Sequence, residues 1–195
     1  MKRTIMILAA LAMLLLGAWS AEAVPITYVE QATGTGQLGS TPFTDSLVTI
    51  TFDFGGDTTN VINAGFFKNT LGTMTVDVAG IGTATFTDPL MGSVVNHITN
   101  TAGLSDFTSD YLVLGTVNTV FDTYTLDSSI GPIAGTTRFN PGIAFPTTLG
   151  DFYFSSLMED SDSTFTATTV PEPATLLLIG SGLLGLAGLR KKLKK

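Results

Sequence analysis

The chain has 195 residues, a length that suits about one domain, and a formal net charge of −7. Residues 24–169 hold fourteen acids but only two cations, Lys68 and Arg138, so this stretch carries −12 and should repel nucleic-acid phosphates. The sequence has no cysteine, which excludes disulfides, thiolate metal sites and cysteine nucleophiles.

The first 23 residues are typical of a bacterial secretory signal peptide. A basic start at residues 2–3 precedes an apolar run at 5–16, and the segment ends on Ala21 and Ala23, whose small side chains suit signal peptidase. We predict a signal helix here, with cleavage after Ala23 and with Ser20 as the alternative position. An uncleaved anchor is disfavoured, because the run is shorter than the ~20 residues that a membrane span requires.

Residues 24–169 are expected to form one all-β domain, because this stretch is rich in threonine and poor in Lys, Glu and Arg. Apolar and polar side chains alternate with a period of two in several segments, as they do in antiparallel strands with one solvated face. These segments are 47–54, 73–78, 82–87, 121–127, 151–155 and 163–169. Turn signals between them are Gly55-Gly56-Asp57, Asp88-Pro89, Gly131-Pro132, Asn140-Pro141-Gly142 and Gly150-Asp151. We predict about ten short strands in an antiparallel β-sandwich of jelly-roll or Ig-like type.

No residue of this domain is assigned a catalytic role. His97 is the only histidine and has no acid near it in sequence to orient it as a base, so a structural or surface role is expected. Paired carboxylates could serve a glycosidase, but several acids, such as Asp45, Asp88 and Asp151, occupy turns that favour aspartate. The domain is therefore expected not to be an enzyme, and a secreted hydrolase is only the third hypothesis.

Two acidic stretches, 53–57 and 159–162, are the candidate calcium ligands. Each clusters oxygen donors, of which Ca²⁺ takes about 6–8, but neither has the spacing of a known calcium loop. The expected interpretation is a solvated loop, with 159–162 as a surface turn before the last strand. No metal and no cofactor is assigned.

Sugar binding by aromatic stacking is possible in principle and is not indicated by the sequence. The only tryptophan, Trp19, leaves with the signal peptide. The 13 phenylalanines fall mostly on the apolar positions of the predicted strands and are expected in the core. The tyrosines that remain are Tyr28, Tyr111, Tyr124 and Tyr153.

The C-terminal segment combines a short motif, an apolar span and a basic cluster. The motif is Pro171, Glu172 and Pro173, and the uncharged span is 174–189. As a helix this span would cover ~24 Å, which with snorkelling lysines approaches the ~30 Å of a hydrocarbon core. The cluster is Arg190, Lys191 and Lys192, followed by Lys194 and Lys195. We predict a transmembrane helix with a cytoplasmic C-terminus and the body outside.

This arrangement resembles the PEP-CTERM sorting tail over residues 170–195. The resemblance implies that an exosortase, a membrane protease or transpeptidase, recognises Pro171, Glu172 and Pro173 and cleaves near them. It further implies an outer-membrane bacterium that makes exopolysaccharide. The Leu-Pro-x-Thr-Gly signal of the Gram-positive sortases is absent from this chain.

The sequence thus predicts a protein that is exported across the inner membrane, anchored there transiently, and then placed at the cell surface or in the extracellular matrix. Its expected partners are signal peptidase, exosortase and the inner membrane, with exopolysaccharide as a candidate and no nucleic acid. The leading hypothesis is a non-catalytic surface or matrix protein of a biofilm. The alternative is a carbohydrate- or calcium-binding module of that matrix.

Overall fold

A computed structural model describes residues 26–54, 61–63, 66–69, 72–157 and 162–169. These residues form thirteen β-strands and a single turn of 3-10 helix, Thr119–Asp122, with no α-helix among them. The strands are β1 Ile26–Leu38, β2 Thr41–Phe54, β3 Val61–Asn63, β4 Phe66–Asn69, β5 Gly72–Val78, β6 Gly82–Thr85, β7 Met91–Asn96, β8 Thr101–Asp106, β9 Tyr111–Val117, β10 Ile130–Arg138, β11 Phe145–Thr147, β12 Gly150–Leu157 and β13 Asp162–Thr169. The two predicted terminal helices lie outside the described residues, and within those residues no helix meets the length and apolarity of a membrane span.

All the strands join one antiparallel sheet that curls into a half-barrel. Its main path runs β3-β4-β7-β8-β9-β10-β13-β1-β2-β5-β6, and β11 and β12 branch from β1. The predicted all-β antiparallel class is confirmed. The finer assignment to a jelly-roll or Ig-like sandwich stays a prediction.

Strand β1 is the shared member of the sheet. On one side it pairs with β2 along its whole length, from Ile26 to Leu38. On the other side it pairs first with β13, over residues 26–31, and then with β12, over residues 34–38. At the changeover the register shifts near Gly36, where a β-carbon would overlap the carbonyl oxygen of Tyr153. Glycine is therefore required for β12 to approach β1 this closely.

Beyond this changeover the sheet closes on itself. An isolated bridge joins Phe86, just after β6, to Thr147 of β11. Thr87 N donates to Pro146 O at 3.0 Å, and Thr148 N donates to Thr85 O at 2.8 Å. These bonds complete a ring made of β1, β2, β5, β6, β11 and β12. The closure leaves no open edge in this part of the sheet.

Phenylalanine fills the core on both sides of the changeover, as expected from the sequence. Inside the ring, the Phe152 ring centroid lies 5.1 Å from that of Phe154 and 6.2 Å from that of Phe43. In the wider part of the half-barrel, Phe165 contacts Phe121 with centroids 5.5 Å apart. The buried members are Phe43, Phe52, Phe54, Phe86, Phe121, Phe145, Phe152, Phe154 and Phe165. At about 1.5–3 kcal/mol for each buried large apolar side chain, these rings are a principal source of stability.

The predicted strand at 121–127 is wrong. This segment belongs to loop 118–129, which begins with the 3-10 turn and is capped where Asn118 Oδ1 accepts from Val120 N at 3.0 Å. The side chains Phe121, Tyr124 and Leu126 are all buried, although Phe121 is out of phase with the other two in a period of two. They reach the core from an irregular backbone, with Leu126 at φ 61°, because the loop packs on the sheet instead of joining it.

Gly131-Pro132 was expected to be a turn between strands, and this expectation is wrong as well. The pair lies inside β10, between Ile130 and Ile133, where the register with β13 shifts. Gly131 has φ 96°, a value that glycine tolerates, so the irregularity is absorbed as a bulge while the strand continues.

The other predicted strands agree with β2, β5, β6, β12 and β13. The predicted turns at Asp88-Pro89 and Asn140-Pro141-Gly142 are confirmed, and Gly150-Asp151 opens β12 directly after a tight turn. The turn at 55–57 lies outside the described residues, as does 159–161. Asp162 is the first residue of β13.

One carboxyl group lies fully buried in the middle of the sheet. Glu30 on β1 has no exposed surface, and its Oε1 has no hydrogen-bond partner. Its Oε2 lies 2.9 Å from Thr116 Oγ1, which lies 2.7 Å from Ser163 Oγ. Ser163 Oγ in turn donates to Gly115 O at 3.2 Å. Burial raises the pKa of Glu30 well above its usual range, although hydrogen bonding to Thr116 acts to lower it.

The number of hydrogens that the hydroxyls can donate favours a neutral Glu30, as its burial does. Each hydroxyl has one hydrogen to donate. When Glu30 is protonated, it can donate to Thr116, Thr116 to Ser163, and Ser163 to the Gly115 carbonyl. When Glu30 is ionised, Thr116 can donate its single hydrogen either to Glu30 or to Ser163, and one of the two hydrogen bonds is lost. All three hydrogen bonds of this chain therefore carry a hydrogen only when Glu30 is neutral, and Oε1 stays unpaired in either state.

We expect Glu30→Gln to be more stable than the wild type at neutral pH, because its amide is always neutral and can donate to Thr116. A raised folded-state pKa means that the folded protein binds more protons than the unfolded chain, so stability falls as pH rises from about 4.5. The advantage of the variant should grow by up to about 1.4 kcal/mol per pH unit, up to the folded pKa of Glu30. Urea unfolding at a series of pH values measures it.

Asp122→Asn, which removes an exposed carboxyl from the 3-10 turn, is the control. A stability difference between Glu30→Gln and wild type that does not change with pH would contradict a neutral Glu30.

Candidate functional site

The two ends of the body leave the sheet side by side. Ile26, the first residue of β1, is the register partner of Thr169, the last residue of β13. Ile26 is three positions after Ala23, and Pro171 is two positions after Thr169. At ~3.3 Å per extended residue, both processing regions therefore lie within ~10 Å of chain from the neighbouring ends of β1 and β13.

Strand β13 is held firmly at the point where the tail begins. It lies between β10 and β1, hydrogen-bonded on both sides. Its last residue makes two further bonds to loop 118–129: Thr169 N donates to Ser129 Oγ at 2.9 Å, and Ser129 Oγ donates to Thr169 Oγ1 at 3.0 Å. The tail is thus joined to a central strand and not to a free edge.

The predicted processing residues themselves lie outside the described part of the chain. This applies to the cleavage residues, the motif and the basic cluster: Ala21, Ala23, Pro171, Glu172, Pro173, Arg190, Lys191 and Lys192. Their assignments stay predictions. The structure shows that the segments before Ile26 and after Thr169 leave the sheet at neighbouring positions.

His97 has the contacts of a structural side chain. Its Nε2 lies 2.8 Å from Tyr124 O, and because a carbonyl only accepts, Nε2 carries the hydrogen. Its ring packs on Phe67 with centroids 5.0 Å apart. The histidine thereby fixes the end of β7 against loop 118–129. Within the described residues no carboxylate is hydrogen-bonded to it.

The tyrosines do not assemble into a stacking surface. Tyr28 and Tyr124 are buried, with Tyr28 OH donating to Leu126 O at 2.6 Å and Tyr124 OH to Ser128 O at 2.8 Å. Burial, with the nearby Tyr28 and Asp127, raises the pKa of Tyr124. Tyr153 is half-buried and donates to Gln37, while Tyr111 is exposed.

Several of the acids accept hydrogen bonds from backbone N–H groups and from neighbouring hydroxyls. Asp88 Oδ1 accepts from Leu90 N at 2.9 Å and from Thr108 Oγ1 at 2.7 Å. Asp106 accepts from Thr108 N at 2.8 Å and from Ser109 Oγ at 2.6 Å. In the candidate calcium stretch 53–57, Asp53 Oδ1 accepts a hydrogen bond from Thr27 of β1. Residues 55–57 lie outside the described part of the chain. Among the described side chains no group of three metal ligands is found.

A groove of about 340 Å³ lies where β7, β8 and β9 meet the end of β10. This size is within the ~300–1,000 Å³ of typical ligand pockets. Its lining combines hydroxyls, amides, two phenylalanines and one residue of each charge. The lining residues are Val94, Asn96, Thr99, Thr101, Ser105, Phe107, Asp110, Leu112, Arg138, Phe139 and Asn140.

Arg138 is the one cationic residue among those that line the groove. It donates to Thr101 Oγ1 at 3.3 Å and forms no ion pair there. This is notable in a body with fourteen acids, since Asp110 lines the same groove. The guanidinium can therefore meet an anionic or polar ligand with most of its donors.

Sequence reasoning overlooked this groove and also Glu30. The groove draws residues from four strands and from the three connections that follow β7, β8 and β10, and no local pattern connects them. Glu30 did carry a signal, because it occupies an apolar phase of β1 with Tyr28 before it and Ala32 after it. A charged residue at such a position points to a buried carboxyl.

The family model of the PEP-CTERM protein-sorting motif matches residues 169–192. The match begins at Thr169, where β13 ends. No curated protein and no solved structure matches the chain.

We expect Ser129→Ala to loosen the end of β13, because Thr169 N loses its hydrogen-bond acceptor. A net loss of about 1 kcal/mol corresponds to about fivefold faster exchange of the Thr169 amide hydrogen. Hydrogen exchange followed by NMR measures this. Ser40→Ala, in the exposed β1–β2 turn, is the control. Unchanged exchange at Thr169 would mean that the strand ladder alone holds this end.

Proposed function

We propose that this protein is a non-catalytic component of the bacterial cell surface or extracellular matrix, retained near exopolysaccharide after processing by exosortase. The sorting motif at residues 169–192 makes it an exosortase-targeted exported protein. That motif is the observation on which the proposal rests, because it defines a delivery route outside the cytoplasm.

The arrangement of the two ends supports this route. Ile26 and Thr169 are neighbours, so a signal peptide and a tail would both extend from the same edge of the body. In the proposed topology that edge faces the inner membrane, and the apolar span 174–189 anchors the protein until cleavage. The cations from Arg190 onward keep the C-terminus in the cytoplasm.

The construction of the body supports processing without loss of the fold. The bonds described for β13 end at Thr169, and they connect it to β1, to β10 and to loop 118–129. Cleavage at or after Pro171 therefore leaves this strand with all of its described partners. A strongly acidic surface also keeps the body well hydrated outside the cell.

The alternative is a carbohydrate-binding module, and the groove around Arg138 favours it. Hydroxyls, amides and aromatic rings in one concave site are the groups that usually contact sugars. The calcium-binding form of this alternative has less support, because its two acidic stretches lie largely outside the described residues.

We expect Glu172→Ala to block processing in a host that has exosortase, because the motif loses its only charge. Mass spectrometry of the wild-type protein should show a start at Val24 and an end near residues 171–173. The variant should keep Lys195 and stay in the membrane fraction. Asp151→Ala, an exposed acid in β12, is the control that should be processed normally. An intact Lys195 on extracellular wild-type protein would contradict the proposed sorting.

We expect the processed protein to depend on exopolysaccharide for its place at the cell surface. In a strain unable to make exopolysaccharide, most of the protein should move from the cell-associated fraction to the medium. Quantitative immunoblots of the two fractions measure the shift, and the processed C-terminus is checked in both strains. An unchanged distribution would contradict retention by exopolysaccharide.

A further inference from the structure

The groove around Arg138 lies on the face of β8 that carries Thr101 and Ser105, both of which line it. Gly103 lies between them in the strand and is the register partner of Gly115 on β9. A β-carbon at Gly103 would overlap backbone atoms of Leu114 and Gly115. Glycine is therefore required here for β8 and β9 to pair this closely.

Two amide side chains at the groove have their orientation settled by backbone donors. Asn96 Oδ1 accepts from Ile98 N at 2.9 Å and from Thr99 N at 3.2 Å. Asn140 Oδ1 accepts from Leu112 N at 2.7 Å. Since a backbone N–H can only donate, the atom facing it must be the oxygen. Each amide nitrogen is thus left with hydrogens that no described residue accepts.

The free polar groups of the groove are consequently mostly donors. These donors are the Nδ2 groups of Asn96 and Asn140, together with the N–H groups of Arg138 that do not bond to Thr101. The Asp110 carboxylate is the matching acceptor on the lining. A ligand that satisfies this set needs a carboxylate or similar anion, several acceptor oxygens and at least one hydroxyl to donate.

We propose that this groove binds a hexuronate unit, a sugar ring that carries a carboxylate. The carboxylate pairs with Arg138, whose planar fork donates to both carboxylate oxygens at once. Ring oxygens accept from the two asparagine amides, and a ring hydroxyl donates to Asp110. Phe107 and Phe139 supply the apolar wall that a sugar ring needs on its C–H face. This inference rests on the proposed function, because it names the polysaccharide class that the matrix protein would hold.

The acidity of the body limits the strength of this contact without preventing it. A body charge of −12 repels an acidic polysaccharide at long range, but at physiological salt this repulsion is screened beyond ~8 Å. The Arg138 pair acts at hydrogen-bond distance. Weak binding of single units, repeated along one chain by many protein copies, is the expected mode.

The test compares a galacturonate trimer with its methyl ester, using the processed protein and isothermal titration calorimetry. The wild type should bind the acid at least about tenfold more tightly than the ester, as expected for one charge-assisted pair. Arg138→Gln should lose this preference, and Arg138→Lys should keep part of it. Ser40→Asp changes the net charge by the same amount far along the sheet, in the β1–β2 turn, and should keep the full preference. Thermal unfolding confirms that each variant is folded.

Equal affinity of the wild type for acid and ester would overturn the proposal, as would a preference that survives Arg138→Gln. These outcomes are separable from failure of the proposed function. If the protein leaves the cell surface when exopolysaccharide is absent but shows no preference for the acid trimer, only the assignment of this groove is wrong. If it shows the preference yet keeps its position without exopolysaccharide, the groove assignment holds and the matrix role is wrong.

Discussion

The architecture depends on one strand, β1, which is paired along nearly its full length on both sides. Its partner on one side is β2, and on the other side β13 gives way to β12 at the bulge near Gly36. Because β1 belongs to both the curled sheet and the closed ring, the two aromatic cores share a common wall. The strand also begins at Ile26, the register partner of Thr169, where the sorting motif starts.

The same strand explains why a buried carboxyl is tolerated. Glu30 is flanked by β2 and β13, and it reaches Thr116 of β9 across the curl of the sheet. A neutral carboxyl joined to two hydroxyls connects strands that share no ladder, which helps to hold the curl. An apolar residue would fill the space without this directional bond. The structure therefore tolerates one costly buried group where β9 comes within hydrogen-bonding distance of β1.

Features of the fold that depend on neighbouring residues could be predicted from the sequence, whereas features that depend on contacts between distant segments could not. Alternation in β2 and β5 reflects one wet and one buried face, which is a local property, and those strands were predicted correctly. Loop 118–129 shows the limit: Tyr124 and Leu126 alternate like strand residues, yet the loop packs over the sheet and is not part of it. Likewise Gly131-Pro132 has turn chemistry, but neighbours on β13 keep it inside a strand.

The sequence by itself determined the sorting motif, the acidic charge and the all-β class, because these reside in contiguous residues and composition. Only the tertiary structure decided that the two ends of the body emerge together, that Glu30 is buried, and that Arg138 lies in a groove with Asn96 and Asn140. Each of these depends on pairing between residues far apart in the chain, from Ile26 with Thr169 to Thr101 with Arg138. Such pairing is set by the register and curl of the whole sheet, which no local segment encodes.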